Sequence, residues 1–161
     1  MAVSPVPEGY RTVNAYLIVE DAARAIAFYQ AAFGAEELSR LPVTGADGRE
    51  CIGHAEIRIG DTRLMLSDEW PTMNALGPNK RGGPTTSFVV YGPDCDAAFK
   101  RALQAGAKEV QAVADQFWGD RMGTVVDPFG HKWTLGTHIE DVSPDEMQKR
   151  MEAWSKEQGA G

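Results

Sequence analysis

Polar and apolar positions alternate with a period of two over Thr12 to Val19 (TVNAYLIV), and the run is rich in β-branched and aromatic residues, which predicts a strand. The period then changes. Asp21 stands at an N-cap position before AARAIAFYQAAF. Ile26, Tyr29, Gln30 and Phe33 recur at i, i+3, i+4 and i+7, and Gly34 supplies a stop. A helix over Ala22 to Phe33 is predicted, with a mostly apolar stripe turned toward a sheet. Three strands follow, EELSRLPV, ECIGHAEIRIG and TRLMLSD, joined by turns at TGADGR and at Gly60-Asp61, where Gly and Asp tolerate positive φ. The stretch Glu69 to Pro84 has no period and is dense in Pro, Gly and Asn, so it reads as a loop.

The pattern then begins again. TTSFVVYG reads as a strand, DCDAAFKRALQAG as a helix closed by Gly106, KEVQAVAD as a strand, and GTVVDPFGHKWTLGTH as a hairpin of two more. Both halves read βαβββ, an internal duplication in which Asp21 to Gly34 corresponds to Asp94 to Gly106 with one residue fewer. The organisation predicted is one domain over residues 1–138, with a first module at about 10–68, a linker at about 69–84 and a second module at about 85–138. Residues 139–161 form a C-terminal extension. There Ser143-Pro144-Asp145-Glu146 is a capping box with Pro at N1, so a helix is predicted, with Met147, Met151 and Trp154 as its apolar stripe. That stripe must dock on its own domain or on a second subunit.

Length and composition narrow the function classes. A chain of 161 residues buries a core without a staple. Its net charge of −7 excludes a nucleic-acid partner, since a phosphate backbone asks for a basic stripe. The two cysteines, Cys51 and Cys95, have no ligand spacing, and a reducing, cytoplasmic compartment is expected. The N-terminal MAVSPVPEGYRTV lacks an apolar core of signal-peptide length. No run approaches the roughly 18 apolar residues of a membrane span, so no membrane partner is expected.

The elements YLIVEDAARAIAFYQAAFG, GDTRLMLSDE, DAAFKRALQAGA and WGDRMGTVVDPFGHKWTL together resemble the vicinal oxygen chelate (VOC) superfamily, the glyoxalase and bleomycin-resistance fold, across about residues 10 to 138. HAEIRIGDTRLMLSDE and FWGDR are similar to motifs of its PhnB-like branch. The resemblance implies an α+β fold of paired βαβββ modules, whose curved antiparallel sheets surround a cavity, plus the C-terminal helix. Metal-dependent members carry two His and two Glu on the first and fourth strands of each half. By motif those positions fall here on Asn14, Met65, Ser87 and Thr134. None carries a charge or an imidazole, so no metal is expected, and with no phosphate loop or dinucleotide fingerprint in the sequence no other cofactor is expected.

Other residues could carry chemistry. His54, Glu56 and Arg58 share one face of their strand, and that face is expected to look into the cavity. Trp118 could stack on a planar ligand at the cavity mouth, and Arg121 could clamp a carboxylate or phosphate. The alternative for this loop is an Asp120–Arg121 arrangement that fixes it, with Trp118 plugging the core. Tyr16 and Tyr91 share parity with Asn14 and Ser87 and are placed in the cavity wall, whereas Trp133 shares parity with Leu135 and is placed in the core. His131 and His138 are seven residues apart, roughly 23 Å along one strand, so they cannot share an ion. His131 is expected in solvent after the turn DPFG, and His138 could look into the cavity from the strand end.

The function expected is small-molecule binding of the glyoxalase and bleomycin-resistance type, without the standard divalent-metal centre. The ligand-binding set is Asn14, Tyr16, His54, Glu56, Met65, Ser87, Tyr91, Trp118, Arg121 and Thr134. The alternative is a glyoxalase-like isomerase or lyase using a non-standard metal set or metal-free acid–base residues, with His54, Glu56 and Asp120 as catalytic candidates. The partners expected are that small molecule and, as a homodimer, a second copy of the chain.

Overall fold

The computed structural model describes residues 3–45 and 48–158. The first half runs β1 (Tyr16–Val19), α1 (Ala22–Phe33), β2 (Glu36–Thr44), β3 (Glu50–Ile59) and β4 (Thr62–Asp68). After a short helix α2 (Pro78–Arg81), the second half runs β5 (Ser87–Tyr91), α3 (Cys95–Ala105), β6 (Lys108–Asp115), β7 (Asp120–Val126) and β8 (Lys132–His138), and α4 (Pro144–Gln158) follows. The fold is α+β, with two four-stranded sheets in the orders β1-β4-β3-β2 and β5-β8-β7-β6. The identical order is the duplication made visible. Neither sheet is wholly antiparallel, because β1 runs parallel to β4 and β5 parallel to β8, the helix acting as the crossover.

Local chemistry sets the helix ends. The Asp21 carboxylate accepts from the Arg24 amide at 3.0 Å, and Gly34 closes α1 with φ 67°. Asp94 caps α3 in the same way, accepting from Ala97 N at 2.8 Å. The first strand is shorter than its pattern predicts. The Asn14 side chain accepts from Arg11 N at 2.9 Å and donates to Arg11 O at 2.6 Å, which bends the chain into a turn before Tyr16. The linker read as a loop contains a 3₁₀ turn over Pro71–Met73 as well as α2, with proline in the first turn of each. The tip of the turn at Thr44–Arg49, Ala46 and Asp47, lies outside the described residues, as do the last three of the C-terminal extension.

The two halves meet through their helix-bearing faces. Leu17, Val19, Ala55, Ile57, Leu64 and Leu66 are buried on one side, Val125, Trp133 and Leu135 on the other, and one core runs through both. Rings interlock across the joint: Phe33 lies 4.8 Å from Trp133 and Phe28 6.3 Å from Phe129, centroid to centroid. At its centre Asp127, 4% exposed, takes the Tyr29 hydroxyl at 2.8 Å and the Trp133 indole N–H at 2.9 Å on Oδ2. Its Oδ1 takes the amides of Phe129 and His131, each at 2.9 Å. The His131 ring, expected in solvent, instead lies against the first half, with Nε2 at 3.1 Å from Ile18 O. The turn DPFG therefore also joins the halves.

This joint decides where a site can be. Because the helices stand between the sheets, the opposite, open faces look outward, and among the described residues they do not face one another. Tyr16, Val89 and Tyr91 on those faces are 45%, 53% and 59% exposed.

Candidate functional site

On the open face of the first sheet, Tyr16 and Glu56 both register with Met65, and His54 lies two residues back along β3. The Tyr16 hydroxyl is 3.1 Å from His54 Nδ1, and His54 Nε2 is 3.6 Å from the Glu56 carboxylate. Arg63 on β4 binds Glu56 Oε2 at 3.1 Å, and its guanidinium lies 4.9 Å from the centre of the Tyr10 ring. Residues before β1 thus cross this face and half-bury it. A hydrogen bond from the Tyr10 hydroxyl, with help from the Arg63 charge, holds the Glu56 carboxyl below its ordinary value against the opposing effect of burial. Arg58, the third residue of the predicted triplet, pairs with Glu36 on β2.

A second set occupies the open face of the other sheet, where β7 and β8 pair Asp120 with His138 and Thr124 with Thr134. Asp120 is buried at 5% exposed and accepts three hydrogen bonds. Oδ2 takes the Tyr91 hydroxyl at 2.7 Å and the Trp118 indole N–H at 3.0 Å, and Oδ1 lies 2.7 Å from His138 Nδ1. Burial pushes the Asp120 carboxyl up, but the bonds from His138, Tyr91 and Trp118 outweigh it and leave the group below its ordinary value. Donation to Asp120, then burial, raises the Tyr91 phenol. Asp120 first and Asp141 second raise the His138 imidazole, whose Nε2 is 3.0 Å from Asp141 Oδ1.

The predicted residues therefore fall into two groups, Tyr16, His54, Glu56 and Met65 on one sheet, and Tyr91, Trp118, Asp120 and Thr134 on the other. Three stand apart. Asn14 is spent on its turn with Arg11, and Ser87 is exposed at the start of β5 opposite Lys132. Arg121 follows Asp120 in a strand and so points to the helix side, where it binds Asp96 through Nε at 2.7 Å and Nη2 at 2.9 Å, and Asp115 at 2.7 Å. The clamp is thus an inter-element tie. Four participants escaped the sequence reading. Tyr10 and Asp141 lie outside the repeat's strands, Arg63 sits beside a turn, and Thr124 meets Thr134 hydroxyl to hydroxyl at 3.0 Å. For Arg63 and Thr124 alone, strand parity carried the signal.

The positions matching the family's metal ligands supply an amide, a thioether and two hydroxyls, a donor set that does not fit a divalent cation. Among the described residues no three His, Cys, Asp or Glu are grouped to hold one. A cleft of about 500 Å³ lies at the seam of the halves. Phe33, Leu64, Phe88 and Trp133 line it, and of the candidate residues it takes in only Tyr91, so it touches the second polar set at that one side chain and does not reach the first.

Residues 11–135 match the family model of the Glyoxalase/Bleomycin resistance protein/Dioxygenase superfamily. An uncharacterized protein of Mycobacterium tuberculosis is 44% identical over 154 residues, covering 94% of this chain and 86% of the relative. The crystal structure of TioX from Micromonospora superposes with a TM-score of 0.59 at 28% identity, covering 83% of this chain and 100% of TioX. The PhnB protein of Bacillus cereus shares the fold, with a TM-score of 0.61 at 18% identity over 79% of this chain and 99% of its own.

Proposed function

The chain belongs to the glyoxalase, bleomycin resistance protein and dioxygenase superfamily, and from that premise we propose that it is a metal-free binding protein for a small polar molecule. The observation that carries this reading is the donor set at Asn14, Met65, Ser87 and Thr134, in which the Asn14 amide is already spent on Arg11 and the Thr134 hydroxyl on Thr124. No step through a metal follows from such a set. The open faces offer instead an imidazole, phenols and ion-paired groups that can hold a polar ligand by hydrogen bonds. The ligand-binding set is then Tyr16, His54, Glu56 and Met65 from the first sheet with Tyr91, Trp118 and Thr134 from the second. Its location is read as cytoplasmic from a cysteine usage that asks for no oxidising compartment.

Protein purified without a histidine tag is expected to carry less than about a tenth of an equivalent of Zn, Ni, Mn or Fe. It should bind a member of an antibiotic and metabolite panel saturably in calorimetry, with the ligand recovered intact. A stoichiometric metal whose removal abolishes binding would overturn the reading. The second reading, a metal-free isomerase or lyase, is favoured by the two imidazole–carboxylate contacts, His54 with Glu56 and His138 with Asp120.

The cover for the open faces is a second copy of the chain. Leu38, Leu41 and Val43 on β2 and Val89 and Tyr91 on β5 are exposed apolar side chains on or beside the polar sets. Two-fold pairing would lay the first sheet of one protomer over the second sheet of its partner and close two equivalent cavities. Sedimentation should give twice the 17.5 kDa of one chain, and Leu41→Glu should lower that mass toward the monomer. A wild-type monomer at about 50 μM, a concentration at which interfaces of ordinary size are occupied, would reject the pairing.

A further inference from the structure

We infer that residues 3–15 form a strap over the open face of the first sheet, that the Tyr10 phenol fills a seat there, and that a neutral phenol from solution takes the same seat when the strap lifts. The strap contains no helix or strand. Its own hydrogen bonds are short-range: Ser4 Oγ donates to Val6 O at 2.8 Å, Tyr10 N to Pro7 O at 3.1 Å, and Arg11 and Asn14 bond each other. Of residues 3–13, Tyr10 alone is not exposed. The apolar side chains around it stay in water, Val3 at 93% and Val13 at 86% exposed, so they hold nothing down. Before Ala15, whose carbonyl takes the Met65 amide at 3.1 Å, one phenol ties the segment to the sheet.

The seat is built from β3 and β4. Glu56 accepts from the Tyr10 hydroxyl, and that bond first, then burial, raises the Tyr10 phenol and keeps it a donor. The Arg63 guanidinium lies 4.9 Å from the centre of the Tyr10 ring, while its Nη1 holds Glu56 Oε2 at 3.1 Å. Arg63 therefore serves the ring and the carboxylate at once. Such a pair asks for an aromatic face and a hydroxyl proton in one molecule. An aliphatic alcohol leaves the guanidinium without a ring, a bare ring leaves the carboxylate without a proton, and a phenolate is repelled by Glu56. A neutral phenol satisfies all three conditions, and the chain already seats one. Because Tyr10 and a ligand exclude each other, the ligand's apparent affinity falls in proportion to the fraction of molecules with the strap lifted. The strap thus sets the concentration at which ligand enters. Its close fit depends on Gly9, which sits at φ 82° and where a Cβ would lie 2.6 Å from Arg63 Nη2.

The seat lies on the ligand-binding face proposed above, so the inference rests on that reading, and the probe is p-cresol, the tyrosine side chain as a free molecule. Amide chemical shifts of β3 and β4 report its binding. Tyr10→Ala should bind p-cresol with a Kd of about 1 mM, the strength so small a ligand allows, and wild type about 20-fold more weakly. Tyr10→Phe keeps the ring over Arg63 and loses the bond to Glu56, so it should gain only about fivefold over wild type. Gly9→Ala leaves Tyr10 in place but strains the strap, and it should gain about tenfold. In wild type, shifts at residues 4–11 should accompany those of β3 and β4, because the strap lifts as the probe enters. 4-Methylanisole, which has the ring without the proton, should bind Tyr10→Ala about fivefold more weakly than p-cresol does. Affinities for p-cresol within about twofold of wild type in both Tyr10→Ala and Gly9→Ala would overturn the inference, as would a methyl ether that binds as well as the phenol. A ligand from the antibiotic and metabolite panel still bound saturably in calorimetry alongside such a result would leave the binding reading standing.

Discussion

Asp127→Ala is expected to lower the unfolding free energy by about 4 kcal/mol or more, and the melting temperature by roughly 10 °C. The carboxylate is the shared acceptor for four donors, the Tyr29 hydroxyl, the Trp133 indole N–H and the amides of Phe129 and His131. Tyr29 and Trp133 are at most 1% exposed, so water cannot replace the lost oxygens. Burial, and then the Asp127 charge, push the Tyr29 phenol well above its ordinary value, so it stays a donor that needs a partner. Each orphaned donor in a buried site costs about 1–3 kcal/mol, and the loss falls on the joint between the halves. Asp127→Asn keeps one acceptor oxygen and should lose about half as much. Urea unfolding followed by tryptophan fluorescence measures both, and a loss below about 1.5 kcal/mol for the alanine variant would mean that the joint is held by ring packing alone.

That joint also marks where the sequence stops being readable. Helix ends depend on neighbours in the chain, so Asp21 with Gly34 and Asp94 with Gly106 announced both helices, and strand parity put Trp133 in the core. Asp127 looks like any aspartate opening a turn, and two of its contacts are of that local kind. Its bond to Tyr29 spans 98 residues and His131's contact with Ile18 spans 113, and no pattern within a turn encodes either. Which faces of the two sheets would meet was therefore hidden, although the sheets themselves were not. The site shows the same division. His54, Glu56 and Tyr16 were legible from alternation, and alternation should equally have separated Asp120 from Arg121. Tyr10 and Asp141 reach the site from segments without a period, so only tertiary structure reveals them.

Gly119→Ala is the substitution that should damage the second polar set most without touching a polar atom. Gly119 sits at φ 95°, a conformation that costs an alanine about 1–2 kcal/mol. A methyl group there would meet the Glu140 carbonyl oxygen at 2.1 Å and Val142 Cγ2 at 3.0 Å. The approach is this close because the Gly119 carbonyl accepts the amides of Ile139 at 2.9 Å and Glu140 at 3.0 Å, binding the chain after β8 to the turn before β7. Backbone cannot yield as a side-chain tip can, so the crossing must open. We expect a loss of about 3 kcal/mol, with residues 139–158 detaching first. The bond from Arg150 to Phe117 O, at 3.3 Å, and the ring contact of Trp154 with Phe117 span the same crossing. Because His138 and Asp141 flank the crossing and Trp118 and Asp120 flank Gly119, the imidazole should lose its fixed partners at the same time. Hydrogen exchange should speed up at the amides of 139–158 while β3 and β4 keep their protection. Unchanged exchange in that segment, with melting within about 1 °C of wild type, would show that the crossing relaxes and that α4 is held by its own side chains.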